Sequence, residues 1–223
     1  VSIGVTAASH LEDQTNSIFK LYKENDLTRT NLEDYLRVVN ESSRMISVNM
    51  RRAADLIHSF KQVAVDQSSE VKRNFKLLEY LEEVLLSLNS EIKKKGCEVK
   101  LSCAKELVLN TYPGAISQVI TNLMMNSIIH GFESKDDGVI SIDVCENDSD
   151  ILITYTDNGK GVAKENLDKI FEPFFTTKRG SGGSGLGMHI VFNLVTQTLC
   201  GEIKCSSPKG KGVVFQLVFP KNI

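Results

Sequence analysis

The chain has 223 residues, 41% hydrophobic and 24% charged, with 28 acidic against 26 basic side chains for a net charge of −2. That length buries one substantial core, or one core and a smaller helical unit, and the near-balanced charge provides no global positive field to make nucleic acid or an anionic membrane the main partner. Five cysteines without Cys-x-x-Cys spacing indicate neither a disulfide framework nor a zinc site and fit a reducing cytosolic setting. No apolar run approaches the ~20 residues needed to span a bilayer and no signal peptide is visible, so membrane attachment is expected only through segments absent from this chain.

The first elements read as helices. Val5 to Glu24 forms one, and the polar stretch Asn25 to Thr30 supplies turn and N-cap residues before a second. From Asn31 to Phe60, Leu32, Leu36, Val39, Ser43, Ile46, Met50, Ala53, Ile57 and Phe60 alternate steps of four and three, a sustained a/d seam. The expected product is a helical hairpin over residues 1–69, whose apolar stripe is too long for its single partner. Pairing two hairpins into a dimeric four-helix bundle would bury it.

After Gln67-Ser68-Ser69 the pattern becomes mixed. A helix is predicted from Lys76 to Lys95, capped by Gly96, then a strand from Glu98 to Cys103 and a helix from Gly114 to His130. Strands follow at Val139 to Cys145 and Ile151 to Thr156, then a loop-rich region to Ser184 and a helix from Gly185 to Leu199. Two closing strands, Glu202 to Ser206 and Gly212 to Phe219, flank a Pro208-Lys209-Gly210 turn. Intermixed helices with strands at hairpin distance predict an α+β two-layer sandwich over residues 70–223 rather than a doubly wound parallel sheet.

Four clusters in this second part carry chemistry. Asn122 and Asn126 fall at i, i+4 on one face of an otherwise apolar helix, with His130 one turn on. Asp157-Asn-Gly159-Lys-Gly161 directly follows a strand. Phe171-Glu-Pro173-Phe174-Phe175-Thr176-Thr177-Lys178 puts three phenylalanines in a loop. Gly180 to Met188 packs five glycines into nine positions before a helix, an arrangement suited to phosphate because free backbone N–H groups and the positive helix end face the anion. It lacks the Gly-Lys-Ser/Thr ending of a Walker A loop and the βαβ setting of a dinucleotide fingerprint.

In this order the clusters resemble the N box, first glycine box, F box and second glycine box of the GHKL (Bergerat-type) ATP-binding superfamily. More closely, residues 74–220 resemble the catalytic domain of bacterial sensor histidine kinases. The resemblance implies ATP and Mg²⁺ as cofactors. Asp157 would accept a hydrogen bond from the adenine amino group, with Gly159 and Gly161 allowing the ring to approach. Asn122 and Asn126 would hold Mg²⁺ and the phosphates, oxygen ligands suiting a small hard ion. His130 is either a phosphate contact or a helix-terminal histidine near the C-terminal dipole. Phe171, Phe174, Thr177, Lys178, Gly183, Ser184, Gly185, Leu186 and Gly187 belong to the lid side, with Lys178 and the glycines meeting the terminal phosphates.

The resemblance further implies phosphoryl transfer to a histidine, then to an aspartate on a response-regulator receiver domain, by a homodimer. Superfamily hydrolases begin the N box with a glutamate that activates water, whereas an amide at Asn122 cannot act as general base. An ATP hydrolase and a nucleotide-binding pseudokinase scaffold are the alternatives. Histidine kinases place the acceptor in His-Glu/Asp-x-x-x-Pro, a pattern from which His10-Leu11-Glu12 departs. The chain is expected to start just after the acceptor motif and so to lack it, with His10 as the other candidate. His58 and His189 are read as structural.

Overall fold

The computed structural model describes residues 2–65, 71–133, 135, 137–177, 185–208 and 212–223. The chain divides into two compact units, Val1–Lys61 and Gln62–Ile223.

The first unit holds helices α1 (Ser2–Lys23) and α2 (Arg29–Val65). Asn25 takes a left-handed conformation in the turn between them, at φ 54°. Thr28 then starts α2 with a reciprocal cap: its Oγ1 accepts from the Asn31 amide at 3.2 Å, and Asn31 Oδ1 accepts from the Thr28 amide at 3.1 Å. Small and polar groups line the contact between the helices. Ala7 and Ser42 are buried, the Thr15 and Tyr35 hydroxyls bond at 3.0 Å, and a Cβ on Gly4 would lie 3.3 Å from Asn49 Cβ. The seam expected from the heptads is only partly covered. Val39, Ile46 and Ala53 are half-buried, but Leu36 and Met50 remain 55% and 66% exposed. The side chains of Ile57, His58 and Phe60 lie outside the described residues.

The second unit is built on a five-stranded sheet in the order β2-β4-β5-β7-β6: β2 (Glu98–Ser102), β4 (Val139–Asn147), β5 (Asp150–Asp157), β6 (Glu202–Ser206) and β7 (Val213–Pro220). Strands β1 (Arg73–Lys76) and β3 (Val108–Thr111) form a separate antiparallel pair, which sequence reading missed. All sheet pairs are antiparallel except β2 with β4, which run parallel.

Alternation along β5 and β7 sends Ile151, Ile153, Tyr155 and Asp157, and Val213, Phe215, Leu217 and Phe219, to one buried face. Helix α5 (Pro113–Asn126) contributes Ile116, Ile120 and Leu123 to the same core and contacts α3 (Leu77–Ser87) and α6 (Gly187–Asn193), giving a two-layer sandwich.

The predicted helices are right in place but not in continuity. The one expected from Lys76 to Lys95 begins as strand β1 at Lys76 and breaks at Leu88 into α3 and α4 (Asn89–Lys95), closed by left-handed Gly96. The ones expected to reach His130 and Leu199 each end in a wider π turn, Ser127–Gly131 and Leu194–Thr198.

Candidate functional site

The site begins at the last residue of β5. Alternation points Asp157 into the core face, where it is 4% exposed, a position a carboxylate occupies only with donors around it. Its Oδ1 accepts from the Gly159 amide at 2.8 Å and the Val213 amide at 3.3 Å, and its Oδ2 accepts from Ser127 Oγ at 2.6 Å. Ser127 is the first residue of the π turn after α5, so the helix that presents Asn122 and Asn126 is tied to the floor of the site. The loop from β6 to β7 closes in from the other side. A Cβ on Gly212 would fall 1.9 Å from the Asp157 carbonyl oxygen, at φ +77°, so only glycine lets that loop reach the carboxylate. Ser207 Oγ fastens the same loop to the glycine box by donating to the Gly212 carbonyl at 2.7 Å and accepting from the Val162 amide at 2.8 Å.

These elements enclose a cleft of about 490 Å³. It brings together Asn122, Asn126 and His130 from α5 and its π turn, Asp157 and Gly161 from the floor, and Thr177, Gly185 and Gly187 from the far wall. Gly187, the first residue of α6, stands where a Cβ would lie 3.5 Å from Asn122 Oδ1. Asn122 Nδ2 is buried without a hydrogen-bond partner among the described residues. A buried amide donor left unpaired costs on the order of 1–3 kcal/mol, and an anionic oxygen in the cleft would relieve it.

Several expected residues stand elsewhere. Gly159 acts through its amide on Asp157 and does not line the cleft. Phe171 packs on Phe192 and Phe215, with ring centroids at 5.5 and 6.5 Å, and its carbonyl faces His189 Nδ1 at 3.0 Å. Phe174, at φ 64°, is 61% exposed, and Phe175 takes the lining position instead. Leu186 is buried as the residue preceding α6. Lys178, Gly183 and Ser184 lie outside the described residues. Sequence reading passed over Ser127, Lys160 and Phe215, although Ser127 adjoins Asn126 and Lys160 sits inside the glycine box. His189, read as structural, accepts at Nε2 from Asn193 Nδ2 at 3.2 Å, which leaves Nδ1–H to donate to Phe171.

Residues 111–223, half of the chain, match the profile of the histidine kinase-, DNA gyrase B-, and HSP90-like ATPases. The chain belongs to that family. Among relatives of this ATPase, sensor histidine kinase ZraS of Escherichia coli strain K12 is 42% identical over 111 residues, 50% of this chain and 23% of its own length. Sporulation kinase A of Bacillus subtilis strain 168 is 30% identical over 168 residues, 74% of this chain and 27% of its own. The chain thus spans about a quarter of these curated relatives. The solved catalytic domain of histidine kinase ThkA shares 27% identity and a TM-score of 0.60, covering 68% of this chain and 97% of that domain. Among the described residues, no helix is long and apolar enough to cross a membrane, and no group of three His, Cys, Asp or Glu side chains could hold a metal ion.

Proposed function

We propose that the cleft binds ATP with Mg²⁺, and that the chain is the dimerising and ATP-binding part of a sensor histidine kinase. Residues 1–69 form the dimerisation hairpin and residues 70–223 the ATP-binding domain. The carrying observation is Asp157. Two amides fill the lone pairs of its Oδ1, and Ser127 takes one of those on Oδ2, so the carboxylate has capacity for one more donor on the cleft side. An exocyclic amino group such as that of adenine is the complementary partner.

The phosphate end rests on different chemistry. The unpaired Asn122 Nδ2 suits a phosphate oxygen, and the Asn122 and Asn126 carbonyl oxygens suit Mg²⁺. With no carboxylate cluster among the described residues, these two amides would leave most of the coordination of the ion to phosphate and water. The resemblance assigns Lys178, Gly183, Ser184 and Gly185 to the phosphates, and Gly185 and His130 line the cleft.

When bound, Mg²⁺-ATP supplies a γ-phosphoryl group for transfer. By the resemblance, Asn122 takes the position of the glutamate that activates water in superfamily hydrolases, and an amide cannot take that proton. Hydrolysis is therefore slow, and the transferable group is kept for a histidine and, after it, an aspartate of a response-regulator receiver domain. The described cysteines are all free thiols, which supports a cytoplasmic location for these segments.

Calorimetry with ATP and Mg²⁺ tests the reading. Wild type should bind and Asp157→Asn should bind far more weakly, because the amide nitrogen turns a donor toward the adenine amino group. Equal affinities would remove adenine from this pocket.

A further inference from the structure

A hydroxyl chain stands behind Asp157. Ser127 Oγ lies 2.6 Å from Asp157 Oδ2, 2.8 Å from the Tyr155 hydroxyl and 3.3 Å from the Leu123 carbonyl oxygen. Ser127 has a single proton to give. The short contact to the carboxylate takes it, and the Tyr155 hydroxyl must then donate to Ser127 Oγ rather than accept from it. Tyr155 is fully buried on β5, two residues before Asp157 on the same face. Burial, the largest influence on it, raises its phenol above the ordinary range, with the Asp157 charge adding to the rise and the Ser127 bond opposing it, so the group remains a donor at any working pH.

The proton order is thus fixed as Tyr155 to Ser127 to Asp157, and each bond polarises the next. The two remaining contacts of the carboxylate are also donors, the Gly159 and Val213 amides. All three of these partners are donors. The group therefore shows the cleft an acceptor and nothing else.

We infer that Ser127 and Tyr155 are positioning residues that set base selectivity: they hold the Asp157 carboxylate in one orientation with an acceptor toward the cleft, so that the cleft takes a purine with an amino group at C6 and rejects one with a carbonyl there. This rests on the reading of Asp157 as the base-recognition group and extends it. A 6-oxo purine brings a second acceptor against the carboxylate, and it could keep that place only if Asp157 turned its acceptor away. Ser127 blocks that turn by pinning Oδ2.

The test compares ATP with inosine triphosphate, which differs from it at the C6 end of the base, by calorimetry on wild type, Ser127→Ala, Ser127→Thr and Tyr155→Phe. Wild type should prefer ATP. In Ser127→Ala the preference should shrink roughly tenfold, the scale of one charge-assisted hydrogen bond. Tyr155→Phe should shrink it less, because Ser127 can still donate to the carboxylate, and Ser127→Thr should retain it, because the hydroxyl survives. A merely structural role would weaken both nucleotides in parallel and leave the ratio unmoved, and that outcome in Ser127→Ala would overturn the proposal. If wild type shows no preference between the two nucleotides, the reading of Asp157 itself fails. If wild type prefers ATP and every variant keeps its ratio, that reading stands and the hydroxyl chain has no part in it.

Discussion

In the hairpin, Ala7 and Ser42 are the buried residues among those described, whereas in the sandwich a continuous core runs from Phe75 to Phe219 and includes fully buried Leu77, Leu81, Ile120 and Tyr155. The difference is one of where apolar area goes. The hairpin leaves Phe19, Leu36 and Met50 more than half exposed, while the sheet places its apolar side chains under helices of the same chain. Two helices have only one seam between them, and here that seam holds Ala7, Ser42, Thr15 and Tyr35, so larger apolar residues are left on the exposed faces. The sandwich is complete in itself. Its buried polar residues among those described are Thr111, Ser127 and Asp157, and the last two line the cleft.

The strongest way to break this contrast is steric. Gly212→Ala should cost the sandwich more than about 3 kcal/mol, because the new Cβ would meet the backbone of Asp157 at a backbone angle that disfavours side chains. Gly96→Ala, at a similar φ of +72° but with nothing within 4 Å, should cost only about 1 kcal/mol. Thermal unfolding of both variants checks the pair, and similar melting points would refute the crowding argument.

Association provides the second test. Ile46→Asp combined with Met50→Asp should turn a dimer into a monomer in sedimentation while ATP affinity stays within about twofold, since separate units carry the two properties. A wild-type chain that remains monomeric at high concentration would remove the bundle.

Third, Asp157→Asn should lower ATP affinity roughly 10- to 100-fold, the scale of a hydrogen bond to a charged acceptor, and leave sedimentation unchanged. The smallest effect concerns thiols. All five cysteines lie in the second unit, and burial pushes the Cys205 thiol up to about 12. A raised value keeps it protonated below that pH, so alkylation at pH 8 should mark exposed Cys145 and Cys200 first and Cys205 only slowly, and faster as pH approaches 12. Equal rates at pH 8 would show that the sandwich opens readily.

Sequence alone made the heptads, the alternating strands and the four motif clusters legible, because each is a local pattern of residue types. It did not disclose that β2 pairs parallel with β4, since alternation tells which face a residue takes and not which strand lies beside it. Strands β1 and β3 have four residues each and no periodicity long enough to read. Phe171, Phe174 and Phe175 are alike as letters, and the left-handed turn at Phe174 decides which ring meets the cleft. Ser127 looked like part of an apolar helix because its partners, Tyr155 and Asp157, are about thirty positions away on another element.

The parallel β2–β4 pair has a consequence in time. Parallel neighbours cannot be joined by a tight turn, and here the connection between them contains β3, α5 and the π turn, from residue 103 to 138. The helix with Asn122 and Asn126 is therefore held inside a long loop that closes only when residue 98 finds residue 139. Such distant pairing is entropically late. Helices and the β4–β5 hairpin can form early during refolding, but the cleft needs both this closure and the longer one that brings β7 to β5, so a chain with native-like helix content does not yet have its cleft.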